Sequence, residues 1–260
     1  MRLGALAPLA LALAVSACGP VPRPADAYGA AGDLLADMTA LRAKGRAFRI
    51  SGTIDVFGEQ RVEGKVYLFA VPPDRLRVEL VSPLGSTLAA LTAAGGRFAM
   101  SDEREGRYYD GAAEPCNIAR LIRIPLPAED VIRVLAGGTP IIEGPSEVTW
   151  DRAGHYDVLI RGEAGREQRL EIGPERGSLE LISSRVTENG VVAFDQRCDR
   201  WGSVGGVYVP YEIRVKMPAD GVDLLVRYDE GGVEVNADIP AEAWIHNFPD
   251  GAKIEHVTCE

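Results

Sequence analysis

Four cysteines and three histidines are the side chains of this 260-residue sequence best suited to covalent, acid–base or metal chemistry. Close spacing, as in Cys-x-x-Cys or His-x-x-x-His, would make them ligand sets, and a serine in a tight glycine turn would make a nucleophile. Neither occurs. His155, His246 and His256 share no ligand spacing, and Cys18, Cys116, Cys198 and Cys259 are far apart in the chain. There is no Gly-x-Ser-x-Gly elbow and no Gly-x-x-x-x-Gly-Lys phosphate loop. The sequence therefore reads as a chain with no catalytic centre, no metal site and no cofactor; a Ser-His-Asp set assembled only by folding stays open. Its 38 acidic residues read as solvated strand faces. A net charge of −10 disfavours nucleic acid and a broad electrostatic hold on anionic lipid, because both want excess Lys and Arg.

Cys18 has the most informative neighbours. Arg2 is followed by an Ala/Leu-rich stretch from Leu3 to Val15, too short to span a bilayer, which ends Ser16-Ala17-Cys18-Gly19. Small residues directly before a cysteine resemble the bacterial lipobox, in which that cysteine becomes the lipidated first residue. The other reading is cleavage at an ordinary signal-peptidase site. On the lipobox reading, residues 1–17 are a signal peptide and Cys18 carries more than one acyl chain, which gives stable membrane attachment. Gly19 is permissive for the outer membrane. Pro20 to Gly32 is rich in Pro, Ala and Gly and reads as a flexible tether, so 18–32 is anchor plus tether and 33–260 a single domain.

The other three cysteines would face an oxidising compartment. Three allow at most one intramolecular bridge. Cys198 with Cys259 is a candidate pair because both lie in the C-terminal half, and the sequence leaves the pairing open.

The stretch around which the elements are arranged is Asp74 to Thr92. Leu76, Val78 and Leu80 alternate with Arg75, Arg77 and Glu79, the period of a strand with one buried face. Ser82-Pro83-Leu84-Gly85-Ser86 is a turn: Pro83 fixes φ and Gly85 admits positive φ. Leu84 at its tip either folds back under the loop or stands out to enter a bilayer or a partner's groove.

Asp33 to Lys44 reads as an amphipathic helix with Asp33 as N-cap, stopped at Gly45. An antiparallel meander follows: 49–57, 60–71 across a Gly58-Glu59 turn, 74–81, 86–93, 97–101 and 107–109. Two short helices, 114–122 and 128–135, then interrupt, the second ended by Gly137-Gly138. Strands return at 147–150, 155–161, 167–172, 179–187, 193–201, 207–217, 222–229 and 232–236, and 239–244 reads as irregular. The fold class is mainly β with α: a curved antiparallel sheet forming an open, incomplete β-barrel, with short helices over the mouth of an apolar cavity.

The run from Arg75 to Leu88 around Pro83-Leu84-Gly85 resembles the signature of the LolB family of outer-membrane lipoproteins. Ile124-Pro125-Leu126-Pro127 with its apolar helix and Gly137 is similar to a second segment of that family. With the lipobox the similarity covers about residues 34 to 140. The family's tryptophan in that helix is matched here by Val134. The resemblance implies that Cys18 is the lipid anchor and that Pro83, Leu84 and Gly85 form a membrane-insertion loop. It also implies a LolA-like periplasmic carrier as partner, with acyl chains of cargo lipoproteins and outer-membrane lipid as ligands, and a monomer anchored at the outer membrane and facing the periplasm. Alternation places Leu76, Val78 and Leu80, with Leu121, Val131, Ile132 and Leu135 from the helices, on the cavity wall; plain core packing is the competing fate of each. Leu84 is expected beside the hollow. Another amphiphile such as a glycolipid or lipopolysaccharide, or a structural role in the envelope, is the alternative to lipoprotein cargo.

Overall fold

The computed structural model describes residues 19–57, 62–82, 84–174 and 177–259; Cys18, the Gly58-Glu59 turn and Pro83 lie outside them. One helix, α1 (Ala31–Arg42), precedes six strands: β1 (Phe48–Val56), β2 (Val62–Val71), β3 (Arg75–Val81), β4 (Thr87–Ala94), β5 (Arg97–Asp102) and β6 (Arg107–Ala112). Helices α2 (Pro115–Ile122) and α3 (Ala128–Leu135) follow. The second run comprises β7 (Ser146–Trp150), β8 (Tyr156–Arg161), β9 (Arg166–Ile172), β10 (Leu181–Glu188), β11 (Val191–Val204), β12 (Val207–Met217) and β13 (Val222–Val235). A short 3₁₀ turn at Ala241–Trp244 leads to β14 (Ile254–Val257).

Among the described residues fourteen strands make one curved, unclosed sheet in the order β14-β6-β5-β4-β3-β2-β1-β13-β12-β11-β10-β9-β8-β7. Two antiparallel meanders run outward from the β1–β13 pair, where Phe48 faces Val235 and Val56 faces Leu224. Gly52 is needed there: a Cβ would stand 2.2 Å from the Arg227 carbonyl oxygen, at the point where the register shifts. The α2–α3 segment leaves β6 near one edge and returns to β7 at the other. It thereby crosses the inner face, and the amphipathic helices bury Ile118, Ile122, Val131, Ile132 and Val134 in the core.

Several expectations are corrected. α1 starts two residues earlier than Asp33; Ala30 is its N-cap and Asp33 lies in the first turn, where its charge suits the helix dipole. The two segments 222–229 and 232–236 are one strand, β13, that bends through Gly231 at φ +73°. The C-terminal stretch contributes β14, which pairs in parallel with β6, Ile254 opposite Tyr108. This docking explains the disulfide. Cys116, in the first turn of α2 just after β6, bonds Cys259, just after β14, with Cα atoms 5.9 Å apart. Cys198 is not its partner. It sits on β11 in the other half of the sheet, 2% exposed, a free thiol pushed up to about 12 chiefly by burial.

The stretch read as tether is held against the β7–β8 hairpin. The Val21 amide donates to Arg152 O, the Trp150 indole N–H donates to Val21 O, and Tyr28 packs edge-on against Tyr156 with its hydroxyl donating to Asp37. No helix among the described residues is long and apolar enough to cross a membrane.

Candidate functional site

A cavity of about 690 Å³ opens between the C-terminal end of α1, the loop to β1, the Pro72-Pro73 turn and α3. Its size falls within the usual range for small-molecule sites. Met38, Phe48, Ile132 and Ala136 give it an apolar wall, and each is buried. Each element presents that wall for a local reason. Met38 lies four residues after Leu34, on the inward stripe of α1. Phe48 opens β1 facing the core, and its ring packs under Gly45, where a Cβ would come within 2.3 Å. Ile132 lies on α3 and Ala136, one turn later, is its C-cap.

α3 ends sharply. Gly137 has φ +81°, Gly138 donates to Arg133 O, and the Gly137 amide donates to Val134 O. A Cβ on Gly137 would stand 2.6 Å from both the Trp201 ring and Pro210 Cδ. This close approach seats the floor of the cavity, Ala136 to Thr139, on the β11–β12 hairpin.

The polar lining is cationic. Three arginines, Arg42, Arg46 and Arg133, face one glutamate, Glu129, in a chain whose net charge is −10. Arg133 is bound by Glu129 and Asp130 on its own helix. Arg42 is 9% exposed. It donates to the carbonyls of Tyr208 (2.9 Å), Ser178 (3.3 Å) and Leu179 (2.9 Å), and its guanidinium lies 4.5 Å over the Trp201 ring. Its Nε is buried without a hydrogen-bond partner among the described residues, as are Trp201 Nε1 and Gln196 Oε1. Burial pulls the guanidinium down to about 10, against smaller upward pulls from Cys198 and Glu180, so it is still charged at neutral pH.

Of the residues expected on the cavity wall, Ile132 lines this cavity. Leu76, Val78 and Val131 are buried in the core, and Leu80, Leu121 and Leu135 are half-buried and packed against it. Leu84 is 97% exposed at the β3–β4 turn, and Gly85 beside it has φ +88°. Leu84 does not stand beside the cavity: Pro73 on the rim and Leu84 flank opposite ends of β3, a seven-residue strand. At about 3.3 Å per residue they are roughly 20 Å apart. Sequence reasoning missed Met38, Arg42, Phe48 and the Gly137-Gly138 floor.

A second, smaller cavity of about 270 Å³ lies on the other face of β4–β6, under the C-terminal segment. Trp244, His246 and Phe248 line it. Arg77, on the strand face read as wet, donates to the carbonyls of Ala243 and Ile245 and so is covered by that segment. His246 Nδ1 lies 3.1 Å from Thr92 Oγ1, and burial, helped by the Arg77 charge, lowers its pKa to about 4.

Among the described residues, two groups bring metal-type ligand atoms together. In the first, Glu114, Cys116 and Cys259, both sulfurs are already in the disulfide. In the second, His155, Asp157 and Glu171, the histidine Nε2 is already 3.2 Å from Asp151, and Ser183 donates to Glu171.

No family model matches the chain, and no curated protein matches it. Solved structures do. A DUF1329 family protein from Desulfovibrio piger superposes with a TM-score of 0.57 at 11% identity, over 82% of this chain and 95% of that one. A LolA superfamily protein from Nitrosomonas europaea gives 0.54 at 10% identity, over 84% and 99%. A putative outer membrane lipoprotein-sorting protein domain from Vibrio parahaemolyticus gives 0.52 at 5% identity, over 82% and 94%. At these identities the likeness is one of fold: this chain has the LolA-like open barrel.

Proposed function

We propose that this chain is an outer-membrane lipoprotein of the bacterial envelope, anchored through Cys18, that takes an acyl chain of its cargo into the cavity between α1 and α3. The observation that carries the proposal is that cavity: an apolar wall of Met38, Phe48, Ile132 and Ala136, open at a rim, in a fold shared with a LolA superfamily protein and a lipoprotein-sorting domain. Binding is transfer without bond chemistry. Each buried methylene contributes about 0.8 kcal/mol. Chains therefore pass from a LolA-like periplasmic carrier to this cavity with little net change, and a more apolar acceptor sets the direction. Leu84, bare at the far end of β3, enters the outer membrane, while the rim faces the periplasm and the carrier.

Volume bears on the cargo. A methylene fills about the volume of a water molecule, roughly 30 Å³, so a sixteen-carbon chain needs roughly 480 Å³. The cavity holds one such chain, not three. A lipoprotein would insert one of its chains at a time; a single-chain amphiphile would fit whole, and this favours the second reading, an acyl-chain carrier for another amphiphile. Depleting the chain in its own bacterium and fractionating the envelope separates them. Lipoproteins stranded on the periplasmic carrier support the first reading. An unchanged lipoprotein distribution overturns it.

A further inference from the structure

The apolar wall accounts for an acyl chain but not for the charge around it. Buried cations are normally paired with a carboxylate. Arg42 has no carboxylate within ion-pair distance among the described residues: its terminal nitrogens reach carbonyl oxygens, and Glu180 acts on it only as a more distant charge. Arg46, four residues on and exposed at the same rim, is tied only through its backbone amide to Asn236 Oδ1, which leaves the guanidinium without an ion pair among the described residues. Arg133 already has its two acids. Two guanidiniums without an ion pair among the described residues, Arg42 and Arg46, thus lie at the α1 side of one cavity.

We propose that the cargo's polar end is anionic, a carboxylate or phosphate attached to a single acyl chain, and that Arg42 and Arg46 hold it at the α1 side of the cavity. This rests on the acyl-chain reading above and narrows it to one ligand class. The chain lies along Met38, Phe48 and Ile132, and the anion sits at the rim beside the Arg46 guanidinium, since the C-terminal end of α1 carries the negative end of the helix dipole and does not itself attract it. Arg42 is held in place by its three carbonyl bonds and by Trp201 beneath it, so little side-chain freedom is lost on binding. Arg46 is the adaptable partner at the rim.

The test uses the full-length chain in zwitterionic lipid nanodiscs and four photoactivatable sixteen-carbon probes. Their heads are carboxylate, phosphate monoester, alcohol and trimethylammonium. After irradiation, adducts on cavity-wall peptides are counted by mass spectrometry relative to adducts on bilayer lipid. The expected result is about tenfold more wall labelling by the carboxylate or the phosphate than by the alcohol, and least by the trimethylammonium probe. The stronger of the two anions names the head group. Arg46→Glu should bring anion labelling down to the alcohol level; a preference that survives this substitution overturns the assignment of Arg46. Equal labelling by anion and alcohol overturns the anionic head while leaving the acyl cavity standing. No wall labelling by any probe overturns the acyl cavity itself.

Discussion

Arg42 and Trp201 form a stacked pair, the guanidinium 4.5 Å above the indole, that joins the end of α1 to the β11–β12 hairpin beneath the cavity floor. The contact is as much structural as electrostatic, because Arg42 also satisfies carbonyls of Tyr208, Ser178 and Leu179. Arg42→Met would leave those acceptors unpaired. It should cost about 2–4 kcal/mol, read as a lower urea midpoint. A change below about 0.5 kcal/mol would show that the carbonyls find other donors and that the arginine is there for charge alone.

Gly137 makes the floor possible. Gly137→Ala adds a Cβ at φ +81° against Trp201 and Pro210. Left-handed strain and overpacking together should destabilise by about 2–4 kcal/mol. Equilibrium unfolding measures it. Gly190→Ala, also at positive φ but with open space for its Cβ, is the control and should cost clearly less.

Leu84→Glu should leave the unfolding midpoint within about 0.5 kcal/mol of the parent, since the side chain is 97% exposed. Acyl-chain delivery from the full chain to outer-membrane vesicles should fall several-fold. Unchanged delivery would remove the leucine from the mechanism.

His246 makes stability depend on pH. Its pKa falls from 6.5 unfolded to about 4 folded, so the unfolded chain binds more protons between those values. The contribution is present above pH 6.5 and is lost as pH falls toward 4. For a half-buried ring it should amount to roughly 1–2 kcal/mol after allowing for solvent. Urea midpoints of the parent and His246→Gln at pH 7 and pH 4.5 give the answer: the substitution should flatten the slope across this window.

Reducing the Cys116–Cys259 bridge should release β14. Amide exchange should rise in 254–257 and along the newly exposed edge at 107–112, with little change in β8 to β12 in the other half of the sheet. Uniform acceleration across the sheet would instead mean that the bridge supports the whole fold.

Strand alternation and glycine stops made most of the sheet and both cross-face helices legible from sequence. α3 lies where Val131, Ile132 and Val134 with Gly137 place it, and Leu76 and Val78 face inward as their spacing requires. β14 was not legible because Ile254-Glu255-His256-Val257 is too short for a periodic signal, and its pairing with β6 depends on a contact 146 residues away in sequence. An apolar cavity under the helices, with Ile132 on its wall, was expected, but most of its lining escaped for a related reason. Arg42, Phe48, Pro72 and Gly138 lie at or just beyond the ends of elements, where periodicity stops. An arginine in the last turn of a helix reads as a solvated cap, and only the fold shows Arg42 buried on Trp201.

The proposed function requires the cavity to hold an acyl chain. Ala43 is exposed on its rim, so Ala43→Trp should block the mouth without entering the core. The decisive measurement is mass spectrometric quantification of acyl-bearing molecules retained per full-length chain purified from its own envelope. Near one per parent chain, and several-fold fewer with Ala43→Trp, is the predicted result. Equal retention by the blocked variant, or none by the parent, would contradict it.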